Sequence, residues 1–408
     1  MPTRRLFIKT GIYGVSFSSF TSVLADAPKN NKSLIWLWLG GGASVFETFA
    51  PPTNFVPEPF SSVNGIVTHK NGLAFGGLWT ELIKRGDHLT SVRSFSHKDS
   101  AHRQATHFMQ TGQYNDKRDQ TAGHEFPSHG SIVSSVFGTN NVNGVPTYVK
   151  QGKIEGEDAA FLGGAYKPFD PSNKENLIPR IKENRFADRK SLLNGLDGFR
   201  KFPSDTADSF VKMGDQAYDV VLGTAKDAFD LDKESDTTKE KYGKSKIGEQ
   251  LLLARRLTEF GTKFVTVHYG GWDMHSNIEK SLESKVPPVD VALSALIDDL
   301  TNKGTIQDTM IVVTSEFGRT KINANAGRDH WPSITSLLLA GGQYDHGRNI
   351  GKSDKSYSPE SDPFGPIDLQ ATIFDHFAID PSTQRIDNAG RPRYLIDGEF
   401  RNILHDNT

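Results

Sequence analysis

The chain has 408 residues, with 47 Lys and Arg against 49 Asp and Glu, 36% hydrophobic residues and no cysteine. This composition predicts a globular protein with a large buried core, and the formal charge of -2 gives no basic surface, so we expect no nucleic-acid partner. The lack of cysteine excludes disulfides, thiolate metal sites and a cysteine nucleophile, so any metal must be bound by carboxylate and imidazole groups.

Residues 1–25 have the features of an export signal. Arg4 and Arg5 lie side by side before a weakly apolar stretch, residues 11–24, which ends in small residues. This order is typical of a twin-arginine signal peptide, and the stretch is too short and too rich in Ser and Thr to span a bilayer. We therefore expect cleavage after Ala25 or Ala27, a mature chain without a stable membrane span, and a periplasmic or extracellular location.

Beyond residue 30, short apolar runs alternate with helix-period segments, which predicts an α/β fold. The predicted buried strands are residues 34–39, 89–95, 264–269, 310–315 and 336–340. The predicted helices are residues 247–260 and a segment that begins at the Pro287–Pro288 pair and ends at Gly304. These strand–helix–strand units predict a mostly parallel central sheet with helices on both faces. Residues 32–408 should form this domain, with residues 150–245 as a helical, charge-rich excursion packed against it.

Acids and histidines lie next to the predicted strands, where loops from several strands meet at one edge of the sheet. The side chains concerned are Glu47 after the first strand, His97, Asp99, Ser100 and His102 after the second, Asp273 and His275 after the third, Glu316 and Arg319 after the fourth, and Arg328, Asp329 and His330 before the fifth. Oxygen and nitrogen ligands of this kind bind zinc, manganese, calcium or magnesium. The sequence therefore predicts a divalent-metal site at this edge, with its metal identity left open.

Each of these motifs also has a structural interpretation. An Asp-x-His segment such as residues 273–275 is common in surface loops, Glu316 could cap a helix, and Asp329 could pair with Arg328. The three glycines at 40–42 suit close approach to an anion and equally suit a plain turn.

Further histidines follow the second predicted strand. His107 lies close enough to His102 to share a helix face. We expect His97, His124 and His129 to be exposed or to satisfy a hydrogen bond.

A series of short motifs runs in one order along the chain. The motifs are Gly41-Gly42-x-Ser44 with Glu47, Thr111-Gly112, Tyr242-Gly243, Ala254-Arg255-Arg256-Leu257, Gly271-Trp272-Asp273-Met274-His275, Ser315-Glu316-Phe317-Gly318-Arg319-Thr320, Gly327-Arg328-Asp329-His330-Trp331-Pro332, Ala371-Thr372-Ile373 and Asp397-Gly398. Over residues 33–405 the chain thereby resembles the domain-of-unknown-function 1501 family, whose exported bacterial members are similar to the alkaline phosphatase and sulfatase superfamily.

This resemblance implies roles for particular residues. Glu47 lies where the superfamily has an acidic metal ligand, Asp273 and His275 match its Asp-and-His ligand segment, and His330 matches its late histidine ligand. Glu316 lies where the superfamily has an Asp-His pair, and Phe317 replaces that histidine.

The superfamily's nucleophile position falls on His102, ten residues before Gly112. A histidine there could be a metal ligand, a general base or a nucleophile, with Ser100 as the nearby hydroxyl candidate. The chain also departs from its own family, with Val45 in place of an imidazole, Glu47 and Ala50 in place of Asp, and Gln370 in place of His.

Taken together, these features predict an exported metal-binding protein similar to hydrolases that cleave phosphate or sulfate esters. Its substrate would be a small anionic ester or a sulfated or phosphorylated glycan. Arg319 and Arg328 are candidates for binding the oxygens of that anion, with ion pairing as the rival explanation.

The alternative is a non-catalytic binding or structural protein that keeps the alkaline-phosphatase-like fold. Two features favour this non-catalytic alternative: Phe317 occupies a ligand position, and the imidazole of His102 occupies the nucleophile position. A sugar hydrolase with two carboxylates about 5 to 10 Å apart is a third hypothesis that no feature of the sequence demands.

Overall fold

A seven-stranded sheet forms the centre of the protein. The computed structural model describes residues 30–53, 60–114, 125–172, 224–360 and 362–405. The strands are β1 (Ser33–Trp38), β2 (Ile66–Thr68), β3 (Ala74–Gly76), β4 (Leu89–Val92), β5 (Tyr148–Gln151), β6 (Phe264–His268), β7 (Thr309–Thr314), β8 (Gly318–Ile322), β9 (Arg328–Trp331), β10 (Leu337–Gly341), β11 (Arg348–Ile350), β12 (Gln384–Ile386) and β13 (Pro392–Tyr394). The α-helices are α1 (His102–Thr111), α2 (His129–Phe137), α3 (Asp236–Lys241), α4 (Lys246–Glu259), α5 (Ile278–Asn302) and α6 (Pro366–Phe377).

The sheet order is β11-β4-β10-β7-β1-β6-β5. Every neighbouring pair is parallel except the two that involve β10, which runs against both β4 and β7. The prediction of an α/β fold with a mostly parallel central sheet is confirmed. The five predicted strands correspond to β1, β4, β6, β7 and β10.

Strand β1 lies in the middle of the sheet and is buried on both faces. Ile35 and Leu37 belong to the apolar cluster that includes residues of α4 and α5. Leu34, Trp36 and Trp38 belong to the cluster on the opposite face, formed with residues of α1, α2 and α6. This arrangement explains the uninterrupted apolar run of the strand, because alternate side chains enter two different cores.

Helix α5 differs from its prediction at the start. We expected it to begin at the proline pair, but it begins at Ile278 and contains Pro287 and Pro288. Proline costs a helix a backbone hydrogen bond. Here Leu282 and Val286, before the prolines, are buried in the same core as the residues after them, and this packing continues the helix through the pair.

The described parts of the 150–245 segment pack against the main domain. They contain short 3₁₀ turns and α3 in place of long helices, and Ala225 and Ala228 are fully buried in the α4 and α5 core. Glu234 forms ion pairs with Arg255 and Arg256 of α4 at 2.7 and 2.5 Å. Residues 173–223 of this segment lie outside the described residues.

Residues 1–29, which carry the predicted signal peptide, also lie outside the described residues, so twin-arginine export stays a prediction. Within the described ranges, no helix has the length and apolar character needed to cross a membrane.

Candidate metal centre

One edge of the sheet brings together five segments that are far apart in the chain. The glycine loop at 40–42 follows β1, Asp273 follows β6, and Glu316 follows β7. The loop after β4 leads to His102 at the start of α1, and the β8–β9 hairpin carries His330. Backbone hydrogen bonds join the loops, from Trp272 N–H to the Gly40 carbonyl at 3.0 Å and from Arg328 N–H to the Met274 carbonyl at 3.0 Å.

Three imidazoles are each held by a hydrogen bond at Nδ1. The Nδ1 of His330 lies 2.8 Å from the Ser100 carbonyl, that of His275 lies 3.0 Å from Asp329 Oδ1, and that of His102 lies 2.8 Å from Glu316 Oε1. Each partner is an acceptor, so Nδ1 carries the proton in the neutral ring. The Nε2 atom of each ring therefore presents a lone pair, the state in which histidine binds a metal.

The three Nε2 atoms converge on the carboxylate of Asp273. Asp273 Oδ1 lies 2.9 Å from the Nε2 of His275 and 3.3 Å from that of His330, and Oδ2 lies 3.4 Å from that of His102. The Nε2 atoms of His275 and His330 are 3.2 Å apart. Neutral rings in this arrangement place several lone pairs close to one another, an arrangement that a cation between them would stabilise. Ligand atoms of His102, Asp273 and His330 lie within 4.8 Å of one another, which suits a single metal ion.

The carboxylates and imidazoles influence one another's pKa values. Burial alone would raise the pKa of Asp273, but the hydrogen bond and charge of Arg319 outweigh it and lower this pKa to about 2. The hydrogen bond to Glu316 raises the pKa of His102, while burial lowers the pKa of His330. Asp273 thus stays ionised over the whole physiological range.

A family model described as protein of unknown function (DUF1501) matches residues 31–406. The chain belongs to this family. The family prediction from the motifs is confirmed.

The DUF1501 chain is also similar in structure to several solved proteins. These include the lipoteichoic acid synthase LtaP from Listeria monocytogenes, with 12% identity, coverage of 87% of this chain and 74% of that chain, and a TM-score of 0.40. The PsFucS1 sulfatase from Pseudoalteromonas sp. has 11% identity, coverage of 85% and 68%, and a TM-score of 0.40. A protein in the alkaline phosphatase superfamily from Vibrio parahaemolyticus has 11% identity, coverage of 93% and 71%, and a TM-score of 0.44. No protein of curated function matches the sequence.

Arg319 is buried at the DUF1501 site, an arrangement that favours ion pairing, the rival explanation, over its predicted role in binding a substrate anion. Its side chain is 1% exposed. The guanidinium donates to the carbonyls of Gly41, Gly42 and Arg328 and to Asp273 Oδ1, the last at 2.5 Å. These contacts use its donors to fix the glycine loop and Asp273 in place.

Glu47 and Arg328 form a buried ion pair, an arrangement that favours a structural role over the predicted metal-ligand role of Glu47 and substrate-binding role of Arg328. Glu47 Oε1 accepts from Arg328 Nη2 at 2.7 Å, and the two side chains are 1% and 0% exposed. The guanidinium also lies 4.1 Å from the ring centre of Phe46. A fully buried guanidinium needs a buried carboxylate partner, and Glu47 supplies that charge.

Glu316 and Asp329 each hold a histidine ring in place through a hydrogen bond at Nδ1. Besides His102, Glu316 Oε1 accepts from Gly41 N–H at 2.8 Å, and Ser315 Oγ lies 3.0 Å from Oε2. Asp329 Oδ1 accepts from Asn323 Nδ2 as well as from His275. Such outer hydrogen bonds fix the tautomer and the ring orientation of metal-binding histidines.

The other histidines near α1 meet the structural expectation where they are described. The Nε2 of His97 lies 2.6 Å from the Glu316 carbonyl. His129 is fully buried, stacks on Trp36 and lies 3.1 Å from the Met109 carbonyl, and burial lowers its pKa to about 3. His107 is buried on α1, and His124 lies outside the described residues.

Three supporting groups make contacts that the sequence did not predict. Ser100, the candidate hydroxyl near the nucleophile position, supplies its backbone carbonyl to His330. The Ser315 hydroxyl lies 2.9 Å from the N–H groups of both Gly42 and Ala43 and shapes the glycine loop. The ring of Phe317 packs beside two of the imidazoles. The contact of a backbone carbonyl cannot be predicted from the sequence, whereas the position of Ser315 directly before Glu316 is visible in it.

Proposed function

We propose that this protein binds a divalent transition metal ion through His102, His275, His330 and Asp273 and hydrolyses sulfate or phosphate esters there after export by the twin-arginine pathway. The observation that supports it most is the convergence of three imidazole lone pairs on one carboxylate, each imidazole held by an acceptor on its other nitrogen. A set with three imidazoles favours zinc or manganese over calcium and magnesium, which take oxygen ligands.

The site is open enough for a substrate. Side-chain exposure is 46% for both Asp273 and His275 and 38% for His102. His102 is the first residue of α1, so the positive end of the helix dipole lies beside the ligands, where it favours an anion. When bound, the metal supplies a Lewis acid that stabilises the negative charge developing on the ester.

In this proposal His102 acts as a ligand, and Glu316 and Asp329 are positioning residues. Glu316 keeps the Nε2 lone pair of His102 directed at Asp273, and Asp329 does the same for His275. Arg319 holds Asp273 ionised beside them. The chain thus presents a rigid, preorganised ligand set to the ion.

Metal analysis tests the proposal on the purified full-length protein. We expect wild type to bind zinc, and His275→Ala and Asp273→Asn to lose it, while the control His405→Ala, which removes an exposed imidazole elsewhere, retains it. Zinc-loaded wild type should hydrolyse aryl sulfate or aryl phosphate esters, and the two site variants should not. Retention of zinc by both site variants would overturn the assignment, and zinc binding without turnover on any ester would favour the non-catalytic alternative.

Export has its own test. Replacing Arg4 and Arg5 together by Lys should leave the protein in the cytoplasmic fraction, because the twin-arginine pathway reads that pair. Equal periplasmic amounts of wild type and the double variant would exclude this route.

A further inference from the structure

We propose that the site accepts singly charged esters, namely sulfate monoesters and phosphodiesters, and discriminates against dianionic phosphate monoesters. This inference rests on the proposed metal-dependent hydrolysis and follows from the charges that surround the ligand set.

Neither arginine near the site is available to a second negative charge. Arg319 and Arg328 are 1% and 0% exposed. The guanidinium of Arg319 donates hydrogen bonds to the glycine loop and to Asp273. The guanidinium of Arg328 donates to Glu47 and to the carbonyls of Ser61 and Thr320. The nearest surface arginine on α1, Arg103, is paired with Glu155 at 2.9 Å. From these three arginines of the described residues, a dianionic phosphate therefore receives no bidentate guanidinium contact of the kind that usually binds it.

Within the described residues, His102, Asp273 and His330 form the one group of at least three side chains whose ligand atoms lie close enough together to hold a metal ion. On the side of the cluster where Glu316 lies, the ring of Phe317 packs at 5.0 Å from the ring of His102 and 4.4 Å from that of His330. The ring is fully buried, and a Cβ added at Gly42 would lie 2.5 Å from it. Glu316 itself is 4% exposed and already accepts two hydrogen bonds at Oε1. A second ion would find an apolar ring there in place of a ligand.

With one ion, the charges of the site balance. Three described carboxylates belong to the ligand set or hydrogen-bond to it, namely Asp273, Glu316 and Asp329, and the guanidinium of Arg319 is paired with Asp273. Together they carry two negative charges, which one divalent ion cancels while the imidazoles stay neutral. A singly charged ester meets no net repulsion from these groups, whereas a phosphate monoester, close to two negative charges at neutral pH, finds among them no further positive charge that would compensate its second charge.

The discriminating experiment measures kcat/KM of the zinc-loaded protein for 4-nitrophenyl sulfate, bis-4-nitrophenyl phosphate and 4-nitrophenyl phosphate, each divided by its uncatalysed rate. At pH 8 the sulfate or the diester should exceed the monoester at least about tenfold. The ratio of diester to monoester should also rise from pH 5 to pH 7, because only the monoester gains a charge near pH 6. Rates for the sulfate and the diester then show which singly charged ester the site prefers.

A charge variant provides the matched test. Asp329→Asn keeps an acceptor for His275 and removes one negative charge. The ratio of kcat/KM for the diester to kcat/KM for the monoester should therefore fall by about tenfold. This is the effect of a unit charge at about 6 Å in a medium of dielectric constant about 40. The control Asp87→Asn removes a surface charge elsewhere and should leave the ratio unchanged.

Metal stoichiometry gives a readout independent of turnover. Wild type should bind one zinc per chain, Phe317→Leu should also bind one, and Phe317→His should bind two. A wild-type protein with two ions, a Phe317→His variant that stays at one, or a wild type that prefers the monoester would overturn the inference and leave the metal-dependent hydrolysis intact. The absence of both zinc and turnover would instead overturn the proposed function.

Discussion

Replacing Glu47 by Gln removes a negative charge that lies against the buried guanidinium of Arg328. The two side chains are in contact at 2.7 Å and are 1% and 0% exposed, so water cannot compensate for the loss. Removing one partner of a buried ion pair usually costs about 3 to 5 kcal/mol, most of it from the stranded charge. Gln has nearly the volume of Glu, so no cavity adds to this cost, and we expect Glu47→Gln to lower the free energy of unfolding by that amount.

Urea denaturation of wild type and variant measures this difference from the midpoint and slope. Asp87→Asn is the matched control, because its exposed pair with Lys70 should be worth no more than about 1 kcal/mol. Zinc content should be the same in all three proteins, since Glu47 faces Arg328 and not the imidazoles. A Glu47→Gln variant that unfolds like wild type but has lost its zinc would refute this reasoning and return Glu47 to the ligand set.

Two further predictions concern the glycine loop and a buried acid. Gly41 has a φ of +119°, and a Cβ there would lie 2.5 Å from the Asp273 nitrogen, so Gly41→Ala should weaken zinc binding at least about tenfold in a competition titration. Gly72→Ala also has a positive φ but open space around it, so it should leave zinc affinity unchanged. Burial raises the pKa of Glu157 to about 7, so its protonated form stabilises the fold below pH 4.5, and this contribution is lost as the pH rises to 7. In urea denaturation of the metal-free protein, the free energy of unfolding of wild type should fall by about 3 kcal/mol between pH 4.5 and pH 7 relative to that of Glu157→Gln. Free energies of unfolding that change with pH in the same way in both proteins would contradict the assignment.

The sequence was most informative about the sheet. Apolar runs such as that of β1 predicted the central strands because residues buried on both faces leave a continuous signal. The start of α5 was missed because a local rule about proline was outweighed by the burial of Leu282 and Val286, which depends on the tertiary fold.

The sequence was more informative about which residues lie at the site than about what each of them does there. Motifs at the strand ends predicted that Asp273, His275, Glu316 and His330 lie together, since parallel strands deliver their loops to one edge. The sequence could not separate a ligand from a residue that orients it, because Glu316 and Asp273 differ only in which hydrogen bonds surround them. It also could not show that Arg319 and Arg328 are buried, a property decided by packing of the glycine loop and Phe46.

The most direct test of the metal centre is a crystal structure of the zinc-loaded protein with anomalous data collected at the zinc absorption edge. We predict one anomalous peak per chain, about 2.0 to 2.2 Å from the Nε2 atoms of His102, His275 and His330 and from a carboxylate oxygen of Asp273. A map without a peak among these four side chains, or with its peak at another site, would contradict the account.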